Sequence, residues 1–300
     1  MKGHGKNIFS WIGPTLWAIV LIVCLPCLLS AADLPDIMKK GTLRHLGVPY
    51  ANFVSGAGDG LDVELIQLFA RHIGVHYVYV KTDWPALITD LTGLKFKLNR
   101  DEIKILGKAP VKGDIIANGF TKLAWRQKLV DFSTPTFPTQ VWLVARADSA
   151  MQPIHPSDET QQDIASVKLL LNQRTVLGVS DTCTDPSLYN LIEIGATPRL
   201  FQGTLNELAP AIINGVAEAT ILDVPDALVA LEKWPGRIKV IGPISPQQEM
   251  GCGFAKSAPL LRAAFNGFFE MCKADGTYGR LLKKYYPSAS LYFPKFFESF

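Results

Sequence analysis

With 300 residues, 48% of them hydrophobic and 19% charged, the chain can bury one large core or two smaller ones, and disorder is excluded. Thirty Lys and Arg against 27 Asp and Glu leave a formal charge of +3, and no basic run is long enough to track a phosphate backbone, so nucleic acid is not an expected partner. Gly and Pro stand near average usage and no period of about 20–50 residues recurs, which removes collagen-like, low-complexity and solenoid architectures.

The first segment reads as an address. Lys2 and Lys6 precede an apolar stretch over residues 16–29, followed by Ser30-Ala31-Ala32 and the polar Asp33-Leu34-Pro35. This is the layout of a secretory signal over residues 1–32, with the cut expected after Ala32 and export to the periplasm. The alternative is an uncleaved membrane anchor over residues 8–29, interrupted by Gly13-Pro14 and Pro26. Cys24-Leu25-Pro26-Cys27 has redox spacing but sits inside the apolar stretch, so it is read as incidental. Past the cut, Cys183, Cys252 and Cys272 remain, an odd count that allows one bridge at most and leaves the pairing open.

Further along, apolar strands alternate with amphipathic helices. Residues 42–48 predict a strand, and Leu61, Leu65, Leu68, Phe69 and Ile73 recur at helical spacing until Gly74. His72 and His76 lie four apart, but Gly74 between them takes them off one face, so no metal site is expected. A strand over 77–80, a helix over 85–91 opened by Pro85 and a buried strand over 114–118 follow. Between the last two, residues 94–112 carry Lys95, Lys97, Lys104, Lys108 and Lys112 among apolar residues and predict an exposed hairpin or long loop.

Thr134-Pro135-Thr136-Phe137-Pro138-Thr139 is a stiff extended connector leading into a strand over 141–147. A helix over 161–172, a strand over 175–179, helices from Pro186 and over 205–214, a strand over 219–222 and a helix to about residue 232 then form a second βαβ series. A strand over 238–241 leads to a second proline-bearing connector over 242–246, and the segment 251–255 and helices over 260–274 and 278–285 complete the chain. Two crossings imply two lobes: residues 33–137 with 249–300, and residues 138–248.

Gly119-Phe120-Thr121, Arg126 and Val130-Asp131-Phe132-Ser133 occur in the order in which bacterial extracellular solute-binding proteins of family 3, the polar amino-acid type, carry such a segment. Gly60-Leu61-Asp62-Val63-Glu64-Leu65, Ala217 to Asp223 with Pro225, and Asp275-Gly276-Thr277-Tyr278 through Tyr285-Tyr286-Pro287 extend the resemblance over most of residues 36–287. The resemblance implies an α/β, two-lobed, type II periplasmic-binding-protein-like fold with two hinge crossings. It further implies a monomer, without cofactor, metal or catalytic residue, that closes on a small amino acid or related carboxylate and delivers it to the membrane permease of an ABC transporter.

An α-amino acid presents a carboxylate and an ammonium, and burying either without a partner costs several kcal/mol. By the resemblance, Arg126 is the carboxylate clamp, a planar guanidinium able to donate two parallel hydrogen bonds. Thr121 and Gly119 lie beside it at the strand mouth. Asp223, at the carboxyl end of its strand, is placed to meet the ammonium, with a helix N-cap role before Pro225 as the alternative. Tyr50 and Trp84 stand where the family sets aromatic rings around the solute side chain. Thr182 and Thr184, in the loop before Asp185-Pro186, face the cleft or simply hold that loop.

The chain departs from the family pattern in Val48-Pro49-Tyr50, where many members carry an acid, and in Thr182-Cys183-Thr184, where glycine and threonine are usual. A second function class is therefore an enzyme on the same scaffold, such as a cyclohexadienyl-dehydratase-like lyase with Asp223 or Glu64 as general acid. The same scaffold also serves membrane kinases and peptidoglycan lyases, but no length for such an appended domain is expected before Phe300.

Overall fold

The computed structural model describes Met1 and residues 31–298 except 57, 100 and 101. Residues 2–30 of the expected signal segment, with the Cys24–Cys27 pair, lie outside the described residues. Asp33 caps α1 (Leu34–Lys40) and also accepts from Leu261 N–H at 2.7 Å. Gly41, at φ 66°, turns the chain into β1 (Thr42–Gly47). α2 (Leu61–His72) buries Leu61, Leu65, Ile66 and Phe69 on one face, β2 (His76–Lys81) follows, and α3 (Leu87–Thr92) starts two residues beyond Pro85. The lysine-rich segment is a hairpin, β3 (Leu94–Asn99) and β4 (Glu102–Lys108). β5 (Ile115–Ile116) is shorter than its apolar run suggests, α4 (Ala124–Gln127) is a single turn, and β6 (Val130–Phe132) and β7 (Phe137–Thr139) lead out of the first lobe.

The second lobe contains β8 (Val141–Arg146), α5 (Thr160–Leu169), β9 (Thr175–Gly178) and β10 (Thr197–Leu200), then α6 (Leu208–Ile213), β11 (Ala219–Asp223), α7 (Val224–Lys233) and β12 (Ile238–Pro243). The helix expected from Pro186 is one 3-10 turn, Pro186–Tyr189, closed by Asn190 at φ 53°. Asp185 caps it through Ser187 N–H at 2.9 Å. The chain returns through β13 (Gln248–Met250) to β14 (Gly253–Ala255), α8 (Pro259–Ala274), α9 (Thr277–Tyr285) and the short α10 (Ala289–Tyr292) and α11 (Pro294–Phe297).

The first lobe is a five-stranded sheet in the order β2-β1-β5-β14-β6, and the second a five-stranded sheet in the order β10-β9-β11-β8-β12. In each sheet a parallel set meets antiparallel strands: β14 runs against β5 and β6, and β8 against β11 and β12. β7 and β13, the two connecting strands, pair antiparallel with Phe137 opposite Met250. Phe69, Phe254, Phe265 and Phe269 fill the core beneath the first sheet, while Val141, Leu143, Val167, Val176 and Ile221 fill that of the second. Both parallel sets point their carboxyl ends toward the seam between the lobes, where open α/β sheets present their sites. Cys183, Cys252 and Cys272 are all free and buried, so the one bridge that the odd count allowed does not form.

Candidate functional site

From the end of β5 the chain passes through Asn118-Gly119-Phe120-Thr121 to α4. Gly119 takes φ 65°, and a Cβ there would stand 2.4 Å from the Phe53 ring, so only glycine fits the turn. Its N–H donates to Asp62 Oδ2 at 2.7 Å, which ties the strand end to the first turn of α2. Burial raises the Asp62 carboxyl to about 7 against that hydrogen bond.

α4 carries Arg126 inward, 2% exposed. Its Nη1 donates to the Thr121 carbonyl at 3.1 Å, and its Nη2 reaches across to the Asp181 carbonyl of the second lobe at 3.5 Å. Three aromatic rings surround the guanidinium, with its carbon 4.5 Å from the Phe120 centroid, 5.3 Å from Trp125 and 5.6 Å from Trp84. Nε is buried without a partner among the described residues. Desolvation lowers the pKa to about 10, which leaves the group charged at neutral pH.

Asp223 arrives from the other lobe at the end of β11 and opens α7 as its N-cap residue. The side chain is 0% exposed. Thr139 of β7 donates to Oδ1, while Thr121 Oγ1 at 3.4 Å and Cys183 Sγ at 3.1 Å donate to Oδ2. The carboxylate thus touches both lobes and a connecting strand. Thr121 joins the two charges, its carbonyl accepting from Arg126 and its hydroxyl donating to Asp223. Burial raises the Asp223 pKa despite these donors.

Tyr50 and Trp84 meet edge to face at 5.7 Å instead of standing apart as two walls of a sandwich. Tyr50 also stacks on Phe53 at 6.1 Å, and its hydroxyl is buried without a partner among the described residues. The Thr182 hydroxyl bonds the Val179 carbonyl at 2.8 Å and the Thr184 hydroxyl at 2.9 Å, and Thr184 N–H donates to Thr182 Oγ1 at 3.1 Å. Both threonines are therefore engaged within their loop, and the side chain that loop presents to the acid is Cys183. At the rim, Asn206 of the second lobe accepts from Ala51 N–H at 2.9 Å and donates to the Pro49 carbonyl at 3.5 Å. Glu64 lies elsewhere, paired with Lys284 at 2.5 Å and Tyr285 at 2.6 Å on the surface of α2, which removes it as a general acid in the cleft.

The profile of the bacterial extracellular solute-binding proteins, family 3, matches residues 108–288. The chain belongs to this family. Among curated relatives of this solute-binding protein is the membrane-bound lytic murein transglycosylase F of Desulfosudis oleivorans, 25% identical over 78% of the chain and 45% of the relative. A second is the arginine-binding protein ArgT of Corynebacterium glutamicum, 27% identical over 69% of the chain and 66% of the relative. The chain thus spans about half of the first and just under two thirds of the second. A crystal structure of a mutant of ArgBP from T. maritima superposes with a TM-score of 0.65 and 25% identity, covering 85% of this chain and 99% of that one.

Three side chains at the seam of this solute-binding protein carry no signal of their own in the sequence. Asn118, between β5 and Gly119, is buried with neither its Oδ1 nor its Nδ2 partnered among the described residues. Cys183 shows only as a departure from the family pattern. Asp226, three residues into α7, is buried, and burial together with the charge of Asp223 raises its pKa to about 8. Folded proteins leave few buried polar groups unpartnered, and among the described residues Tyr50, Asn118 and Arg126 each carry at least one. Among the described residues, no group of three or more His, Cys, Asp or Glu side chains could hold a metal ion.

Proposed function

We propose that the chain is the periplasmic binding component of an ABC importer, capturing a small amino acid or related carboxylate between its lobes and handing it to the membrane permease. The observation that carries this reading is the buried Arg126 guanidinium, with an unpartnered Nε, linked through Thr121 to the buried Asp223 carboxylate of the opposite lobe. In this reading Arg126 and Thr121 hold the carboxylate, the Gly119 carbonyl and Asp223 hold the ammonium, the acid in place of the Cys183 thiol, and Tyr50 and Trp84 flank the side chain. The Thr182–Thr184 loop forms the wall behind. The first lobe is taken as residues 33–137 and 249–300, the second as 138–248, and export as the work of the signal over residues 1–32.

A solute bridging the two charges favours the closed arrangement only by its differential affinity for it. A micromolar dissociation constant, about −8 kcal/mol, is within reach of one ion pair, several hydrogen bonds and ring contact. The relatives named for arginine make arginine the first compound to test, followed by the other amino acids. Calorimetric titration of the mature protein, with mass spectrometry of small molecules that co-purify, is expected to show one site for an α-amino acid. Absence of binding by every amino acid and small carboxylate would refute the reading.

The raised carboxyls of Asp223 and Asp226 favour one second reading, a lyase in which a protonated acid serves a leaving group. Turnover of carboxylated ring substrates, measured beside the titration, distinguishes it.

A further inference from the structure

The loop that follows β9 fixes its own backbone and leaves one side chain to turn toward the seam. The Thr182 hydroxyl donates to the Val179 carbonyl, Thr184 N–H donates to the Thr182 hydroxyl, and the Tyr189 hydroxyl donates to the Cys183 carbonyl. With its main chain held in this way, Cys183 moves its sulfur by rotation about χ1 alone. A buried cysteine ordinarily serves as a small apolar filler. The neighbours of this one are polar. Its Sγ donates to Asp223 Oδ2 at 3.1 Å, stands beside the Thr121 hydroxyl of the first lobe and feels the charge of Arg126. The Tyr50 hydroxyl, buried and without a partner among the described residues, lies within electrostatic reach of both Cys183 and Asp223. Burial and the Asp223 charge push the thiol well above its ordinary pKa, so at neutral pH it keeps its proton and acts as a donor, not as a nucleophile.

A carboxylate oxygen has two acceptor directions. On Oδ2 of Asp223, Thr121 takes one and Cys183 the other, while Thr139 holds Oδ1. An ammonium that reaches Oδ2 has to displace one of these two donors. The thiol is the weaker donor by its chemistry, and Thr121 is fixed from its other side by the Arg126 bond to its carbonyl. A hydrogen bond from a charged group is roughly twice as strong as a neutral one, so the exchange runs in favour of the ammonium.

We propose that Cys183 is a placeholder donor, whose thiol yields Asp223 to the ammonium of the solute on binding and takes it back on release. The inference rests on the binding reading above and gives that same site a means of letting go. Because the acid regains a partner as the solute leaves, affinity is held below what the ion pair alone would give. An alkyl group in place of the thiol would leave the buried acid short of a donor between solutes, and a hydroxyl would keep the competition.

The probes are L-arginine and 5-guanidinopentanoate, the same molecule without its α-ammonium. If arginine does not titrate, the best-binding α-amino acid and its des-amino analogue take their place. In Cys183→Ala the competing donor is gone, and arginine should bind about two- to tenfold tighter, the size of one neutral hydrogen bond, with the change in the dissociation rate. 5-Guanidinopentanoate has nothing to exchange for the thiol and should bind both proteins alike, whereas a cavity left by the lost sulfur would move both probes together. Cys183→Ser keeps a donor beside the acid and should not show the gain. In infrared difference spectra of the wild type with and without arginine, an S–H stretch should move to higher frequency as the thiol loses its carboxylate. Equal arginine affinity of wild type and Cys183→Ala, an equal gain for both probes, the same gain in Cys183→Ser, or S–H bands that arginine leaves in place would each overturn the proposal. Those results leave the binding function standing, whereas binding of no α-amino acid by the wild type removes both.

Discussion

Replacing Arg126 by methionine separates function from stability. Desolvation lowers the guanidinium from its ordinary value to about 10, and one pKa unit is about 1.4 kcal/mol, so burial penalises the cation in the folded protein by about 3 kcal/mol. Methionine keeps an unbranched apolar stem against Phe120 and Trp84 and removes that penalty. It also leaves the Thr121 carbonyl without its 3.1 Å donor, an opposing loss of about 1–3 kcal/mol. The two nearly cancel, and the urea midpoint of the solute-free protein is expected to move little in either direction. Solute affinity is expected to fall by about 2–5 kcal/mol, about 30- to 4,000-fold, because a buried carboxylate loses its counter-charge. Titration calorimetry reads the affinity and urea denaturation the stability. Wild-type affinity in Arg126→Met, or a loss of stability as large as the loss of affinity, would refute the reasoning. Arg126→Lys, which keeps the charge but not the fork, should fall between the two.

Tyr50→Phe removes a buried hydroxyl that has no partner among the described residues; the solute-free protein should gain about 1 kcal/mol in denaturation while solute affinity drops, and a loss of stability would show that the hydroxyl is already satisfied. Asp226 titrates at about 8 in the folded chain against an ordinary 3.8, raised by burial and then by Asp223. The folded state thus holds the extra proton between these values, and the contribution to stability falls as pH rises from about 4 to about 8. Asp226→Asn should flatten the fall in urea midpoint across that window, and an unchanged slope would assign it to other groups, such as Asp62. With Cys183, Cys252 and Cys272 free and buried, thiol titration of the mature protein should find three groups after denaturation, all slow in the native state, with no effect of reductant on the melting temperature. A single titratable thiol would reveal a bridge.

Local signals in this chain were strong wherever an element buries one face. α2, β8, β11 and α8 lie within a residue or two of their expected bounds because Leu61–Phe69 repeats at helical spacing and the strands are continuous apolar runs. The elements that escaped lack such contrast. β10 reads Thr-Pro-Arg-Leu and is mostly exposed, an edge strand with an unpaired side, where proline is tolerated. The run after Pro186 ends because Asn190 enters the left-handed region.

The same division holds at the seam. Arg126, Thr121, Gly119 and Asp223 could be singled out in the sequence because they follow a family's order, with Asp223 at the end of its strand. What the amino-acid order could not disclose is that Thr139, Cys183 and Thr121 converge on Asp223 from 84, 40 and 102 residues away, or that Asn206 bridges to Pro49 and Ala51 across the rim. Periodicity records which face of an element is buried, a property of neighbours a few residues apart. Which side chains then share a buried carboxylate depends on how two separately packed sheets meet, and only the closed tertiary structure sets that distance.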